Sequence, residues 1–264
     1  MNIRRLAVRE LGLMDYDDAL ALQRETARRR ISGDEPNDVL LLVQHPPVVT
    51  LGRSAKLSNL LSTPDVLSAL GIQLREVERG GDVTVHEPGQ LVAYPIVDLK
   101  QHKRDLHWYL RQVEEAIILA LRQYGLEAVR VPGLTGVWIE DATGQRKLAS
   151  VGVHARDWVT WHGVALNVEN DLSTFSHTVP CGIDGVAMST VALECRRRGL
   201  EAPTLQHVSS AVAGAFTDVF GLGRDVPAAT GAQCGEPDTS PTTFNSSTTT
   251  ALDRPTLIER TDAL

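Results

Sequence analysis

Lys147 opens a strand-rich segment, KLASVGVHARDWVTWHGVALNV, and Cys181 follows it in TVPCGI. A thiol and an amine brought together carry out acyl transfer that neither does well alone. The thiolate is the competent nucleophile, and a neighbouring ammonium favours it over the thiol. Pro180 and Gly182 set Cys181 on a turn, where its side chain can be presented to a cleft. Lys147 begins the apolar run 147–153, a place where an ammonium is partly desolvated. The expectation is a working pair, with Cys181 holding an acyl group as a thioester and Lys147 handling charge and protons around it. Taken singly, each has a blander reading: a small buried hydrophobe for the cysteine, a solvated surface cation for the lysine. His154, His162 and His177 read as structural histidines, and spacing alone leaves a Cys–His dyad open.

A second informative stretch is RGGDVTVHEPGQ, 79–90. Adjacent glycines in a β context admit a close approach by another backbone or a ligand. Arg79 supplies a fixed cation, and His86 can donate or accept. The bland alternative is a bulged hairpin with a surface arginine. No phosphate loop or dinucleotide fingerprint surrounds the glycines. No H-x-x-x-H helical pair suggests a metal. The arginine runs 28–30 and 196–198 read as solvated faces that could also dock an acidic partner.

The elements that must position these groups follow from patterning. Residues 3–9 read as a strand, and Asp15 or Asp17 can cap a helix running to Ile31, with Ala19, Leu22 and Thr26 inward and Gly33 beyond its end. The run 39–45 reads as a buried strand and VVTLG as another; Pro64 opens a short helix to Leu70, and IQLREVE alternates as a strand. Two strands flank the turn EPGQ. The clearest helix spans 105–124, capped by Asp105 and ended by Gly125. Strands are expected at 126–131, 135–139, 146–156 and 159–168, with MSTVAL as a further strand and 203–220 as a second amphipathic helix. Strands broken by separated helices indicate an α+β fold. The segment 226–264 is rich in Ser, Thr and Pro, a composition that buries too little apolar surface to offset chain entropy, so it reads as a disordered tail.

A chain of 264 residues, 42% hydrophobic, can bury a sizeable core. The net charge of −7 argues against broad nucleic-acid binding. No eighteen-residue apolar run suggests a membrane span, and the N-terminus lacks a secretory signal. Three cysteines, Cys181, Cys195 and Cys234, are too scattered for a disulfide framework or thiolate metal site. These features together read as a soluble protein of a reducing compartment, the cytoplasm.

The segments QHPPVVTLGR, RGGDVTVHEPGQLVAYPIVDL, GLTGVWI, KLASVGVHARDWVTWHGVALNV and PCGI, in this order, resemble the lipoyl(octanoyl) transferases of lipoate biosynthesis, relatives of the biotin and lipoate protein ligases. The resemblance covers roughly 5–220. It implies a mixed β-sheet flanked by helices, with a catalytic domain over 1–225 whose last part, 180–225, forms a smaller C-terminal lobe. It implies that octanoyl moves from octanoyl-acyl carrier protein to a lysine of apo lipoyl domains, those of 2-oxoacid dehydrogenase E2 subunits and the glycine cleavage H protein. No cofactor is implied. In that family the cysteine of the PCG turn accepts the acyl group, which falls on Cys181, and the family's lysine in the K-[IL]-A-[AS]-x-G segment falls on Lys147. Substrate-contacting positions fall on Arg79, Gly80, Gly81, Asp82, Val83, Thr84, Val85 and His86, then on Ser150, Val151 and Gly152, and finally on Gly163, Val164 and Ala165.

The family's usual YHGPGQ reads VHEPGQ here, so Val85 and Glu87 are expected to alter the turn beside the pocket modestly. An alkyl slot walled by Val151 and Val164 is expected, with Gly81 limiting the chain length. Burying about seven methylene-sized units at ~0.8 kcal/mol each gives on the order of 5 kcal/mol before ordering costs. Backbone amides at 181–182 or 150–152 could steady a tetrahedral oxyanion, and the sequence does not choose between them. Three other readings use the same scaffold: an ATP-dependent ligase, a lipoyl-domain-to-lipoyl-domain transferase, and a non-catalytic acyl sensor.

Overall fold

The computed structural model describes residues 4–182 and 185–224, without the side chains of Cys181 and Arg224. The expected tail, with Cys234, lies outside the described residues. The chain opens with β1 (Arg5–Leu13), longer than expected, and α1 (Tyr16–Ser32). Asp15 caps α1 by accepting the Asp17 N–H, and Gly33 ends it at φ 88°, where a side chain would be strained. Ala19, Leu20 and Thr26 face inward, whereas Leu22 is only half-buried. The strands β2 (Asp38–Gln44) and β3 (Val48–Leu51), the short helix α2 (Pro64–Ala69) and β4 (Gln73–Glu76) follow. Next come β5 (Val83–His86), β6 (Gln90–Ile96) and α3 (Leu106–Arg122), whose cap Asp105 accepts the Trp108 N–H.

The antiparallel run β7 (Ala128–Val129), β8 (Val137–Asp141), β9 (Gly144–Arg156) and β10 (Val159–Asn167) completes most of the main sheet. Of the strand expected at 126–131, only the two residues of β7 pair. MSTVAL is not one strand. Its start lies in β11 (Ala187–Met188), and Thr190 then caps α4 (Val191–Arg197) through the Leu193 N–H. A capping threonine followed by a helical turn outweighs the β preference of its valine. The helix α5 (Leu205–Val219) and β12 (Gly223–Arg224) end the described chain.

Among the described residues the main sheet runs β12-β1-β2-β6-β10-β9-β8-β7, with β11 paired in parallel to β9. The strands β1 and β2 are parallel, while β2, β6, β10, β9 and β8 are antiparallel neighbours. A small sheet, β4-β3-β5, stands apart. The turn EPGQ therefore joins strands of different sheets. Helices α3 and α5 cover one face of the main sheet around Tyr109, Val113, Ile117 and Phe216, and α1 covers the other around Tyr16, Ala19 and Tyr94. A third cluster, with Val49, Leu67, Val83 and Val85, fills the small sheet. In the segment expected as the smaller C-terminal lobe, α5 packs on α3 and β12 extends the main sheet. No helix among the described residues is long and apolar enough to cross a membrane.

Candidate active site

Lys147 sits where β9 is irregular. Val137 pairs with Ala149, yet the next residue, Trp138, pairs with Lys147, so Leu148 is an extra residue in β9. The lysine is 1% exposed, and its Nζ lies 5.0 Å from the centre of the Trp138 ring. Met188 of β11 pairs with Lys147, and the Ser189 N–H donates to its carbonyl at 3.0 Å. A strand on either side thus holds the lysine backbone.

Lys147 opens onto an outer cavity of about 490 Å³, within the usual range for small-ligand sites. Leu106 and Leu110 of α3, Gly133, Leu134 and Thr135 of the loop before β8, and Val151 and Val153 of β9 supply much of its lining. Gly80, Gly81 and Asp82 close another side. An inner cavity of about 20 Å³, room for roughly one water, lies beyond. Tyr16, His86, Tyr94, Ser150, His162, Gly163, Val164 and Ala165 help to line it. Arg79, Thr84 and Gly152 line both cavities. Arg79 is 5% exposed, and its guanidinium donates to the Thr50 carbonyl at 2.7 Å, the Thr50 hydroxyl at 2.8 Å and the Gly80 carbonyl at 3.1 Å.

The backbone of Cys181 lies in a 3₁₀ turn, Pro180–Gly182. The approach to this turn is stitched to residues 59–61: Leu61 N–H donates to His177 O at 2.8 Å, and Val179 N–H to Asn59 O at 2.8 Å. Gly182 has φ +65°, and a Cβ there would lie 2.5 Å from Asp82 Oδ2. That carboxylate accepts Asn59 Nδ2 at 2.8 Å and the Val83 N–H at 2.8 Å. Asp82 also lines the outer cavity, so the cysteine turn packs against one of the residues that wall the space onto which Lys147 opens. The Gly182 N–H is already donated to Val179 O at 3.0 Å.

Strand alternation divides the first expected substrate stretch. Thr84 and His86 face the cavities, while Val83 and Val85 are fully buried in the small-sheet core and line neither. Gly163 borders the inner cavity, but its lack of a side chain serves the sheet. A Cβ there would lie 2.2 Å from Ala93 O on β6. Gly152 is similar, with Gly80 O at 2.8 Å from its would-be Cβ, so the 79–81 loop rests on β9. Gly81 has φ +89°, which strains any side chain, whereas a Cβ on Gly80 would meet only Val153 O, at an ordinary 3.5 Å.

Glu87 does not act beside the pocket as expected. It is 4% exposed, lines neither cavity, and accepts Asn170 Nδ2 at 2.7 Å, Leu172 N–H at 3.1 Å and Thr174 N–H at 3.3 Å. It therefore anchors the loop leading to the cysteine turn. The histidines have structural partners: His177 Nδ1 meets Ser62 Oγ at 2.8 Å, and His154 packs edge-on against Trp161. His86 Nδ1 meets Gln90 Oε1 at 2.9 Å, and burial keeps His86 well below the usual histidine range. Burial also lowers His162, whose φ of +57° is unusual in a strand. The leucines of α3 and the 133–135 loop are the site residues that sequence reading missed. Leu106 and Leu110 recur at helical spacing, a pattern that signals an apolar helix face and carries no sign of a cavity.

Residues 15–217 match the family model of the lipoyl protein ligase A/B catalytic domain. The chain belongs to that family. A protein named octanoyltransferase from Solibacter usitatus is 50% identical over 194 residues, covering 74% of this chain and 86% of its own. One from Nostoc sp. is 45% identical over 211 residues, covering 80% and 90%. Among solved structures, lipoate-protein ligase A bound with ATP superposes with a TM-score of 0.65 at 18% identity, covering 85% of this chain and 90% of that one. A bipartite lipoate protein ligase from Thermoplasma acidophilum gives 0.63 at 20%, covering 84% and 85%. These structural likenesses show the fold, a lipoate protein ligase architecture of mixed sheets flanked by helices. Within this lipoyl protein ligase A/B domain, the matched span ends inside α5 and takes in both cavities and the cysteine turn.

Proposed function

We propose that the protein is an octanoyltransferase that moves octanoyl from octanoyl-acyl carrier protein to the target lysine of apo lipoyl domains, through a thioester on Cys181. The observation that supports this reading is a buried lysine opening onto a cavity walled in part by Asp82, against which the cysteine turn packs, in a chain 50% identical over 194 residues to a protein of that name. The Cys181 thiolate attacks the donor thioester, and the tetrahedral intermediate expels the carrier thiolate, which takes a proton from the Lys147 ammonium. The acceptor lysine, with an ordinary pKa near 10.4, must lose a proton to attack. That first proton goes to solvent, and the neutral Lys147 amine accepts the second one as the amide forms and the Cys181 thiolate leaves. The first transfer exchanges one thioester for another, and the second makes an amide from a thioester, which is downhill without ATP. The octanoyl chain lies in the outer cavity along Val151 and Gly152, its carbonyl at Lys147 and its tail toward the inner cavity.

Intact mass spectrometry after incubation with octanoyl-acyl carrier protein, without ATP, tests the reading. Wild type should gain one hydroxylamine-labile octanoyl group and pass it to a lipoyl domain, while Cys181→Ser should do neither. A strict ATP requirement would instead indicate a ligase. Acylation only by an octanoylated lipoyl domain would indicate lipoyl-to-lipoyl transfer, and reversible binding without an adduct a sensor.

A further inference from the structure

The loop before β8 and its first residues do more than wall the cavity. Gly136 has φ +121°, and a Cβ there would lie 2.4 Å from Ala149 O and 2.7 Å from Lys147 Cε. The lysine stem therefore occupies the space that a side chain at 136 would need. The Gly136 N–H donates to Glu114 Oε1 at 2.9 Å. Glu114, on α3, is fully buried, a costly place for a carboxylate unless it is paired. Its other oxygen accepts Arg111 Nη1 at 2.6 Å and lies 3.2 Å from Arg130 Nε. The charge is thus balanced by two guanidiniums, and the remaining oxygen is spent on one backbone amide. Two residues on, Trp138 is 2% exposed and its ring lies 5.0 Å from Lys147 Nζ. Its indole N–H has no hydrogen-bond partner among the described residues. A buried indole offers its ring face whether or not its N–H is bonded, and an aromatic face attracts an ammonium.

We propose that Glu114, Gly136 and Trp138 form a seat that positions the Lys147 amine at the outer cavity. Glu114 fastens the loop, Gly136 clears the path of the lysine stem, and the Trp138 ring holds the ammonium end. All three are positioning residues, acting through Lys147. The inference rests on the reading of Lys147 as the proton-handling group, and GLTGVWI acquires a role in this way that its apolar character does not suggest.

The test is a double-mutant cycle on the full chain, which separates action through Lys147 from general damage. The rate of Cys181 octanoylation is measured for Trp138→Phe and Trp138→Met, each with Lys147 intact and with Lys147→Met. Trp138→Met should slow octanoylation about tenfold, and Trp138→Phe, which keeps a ring face, less than about threefold. In the Lys147→Met background, Trp138→Met should cost less than about twofold more. An equal penalty with and without Lys147 would make Trp138 mere packing and overturn the seat. If Trp138→Met is too unstable to assay, Glu114→Ala against Glu114→Gln makes the comparison from the other end. Loss of the Gly136 bond should slow the reaction only where Lys147 is present, and an effect independent of Lys147 again overturns the seat. Full activity in Lys147→Met alone would instead remove the underlying reading of the lysine, a different and separately visible result.

Discussion

Glu87→Ala removes a carboxylate that receives three N–H groups from the loop leading to Cys181. Oε1 takes Asn170 Nδ2 at 2.7 Å and Leu172 N–H at 3.1 Å, and Oε2 takes Thr174 N–H at 3.3 Å. A buried donor left without a partner costs about 1–3 kcal/mol. The three do not add fully: Asn170 Nδ2 also reaches Asn167 Oδ1 at 3.3 Å, and Leu172 is partly exposed. Leu172 has φ +66°, so this bond also holds a strained residue. The expected loss is about 3 kcal/mol, or about 6–12 °C in Tm for a domain of this size. Glu87→Gln keeps one acceptor oxygen and turns its amide NH₂ against the Thr174 N–H, so it should cost about 1 kcal/mol. Urea unfolding followed by circular dichroism measures both. A Glu87→Ala variant within about 0.5 kcal/mol of wild type would refute the assignment of Glu87 as the loop's anchor.

Gly80→Val places a side chain in the outer cavity without backbone strain, so kcat/KM for octanoyl donors should fall about tenfold and that for butanoyl donors less than about threefold. Equal losses across donor lengths, measured with a series of acyl-carrier thioesters, would remove the alkyl chain from this cavity. Glu194 anchors α4 to β9. Burial pushes its carboxyl up, but bonds from Arg146, Ser189 and Arg198 outweigh that and hold it at about 2, below the usual 4.5. A carboxyl lowered on folding contributes stability that is present above pH 4.5 and lost as pH falls toward about 2. Acid titration of unfolding should therefore show a shallower decline across that window for Glu194→Gln, and an unchanged slope would count against the ion-pair node.

The amino-acid sequence by itself determined what depends on near neighbours. Asp15 and Gly33 bound α1, Asp105 opens α3, and the alternation and apolar runs of β9 and β10 mark strands. Caps, left-handed turns and periodicity act over a few residues, so they are legible without the fold. The motifs around Lys147 and Cys181 carried the family for the same reason. Tertiary structure alone decided which faces of those strands meet. It sent β5 and β6 into different sheets, turned Val83 and Val85 into a core, and set Glu87 under a loop more than eighty residues away. It also left Leu148 as an extra residue in β9 between Lys147 and Ala149, where Lys147 pairs with Trp138 and its Nζ lies over that ring. A register shift and a close backbone approach are settled by pairing between distant segments, and spacing along one chain contains no trace of that pairing.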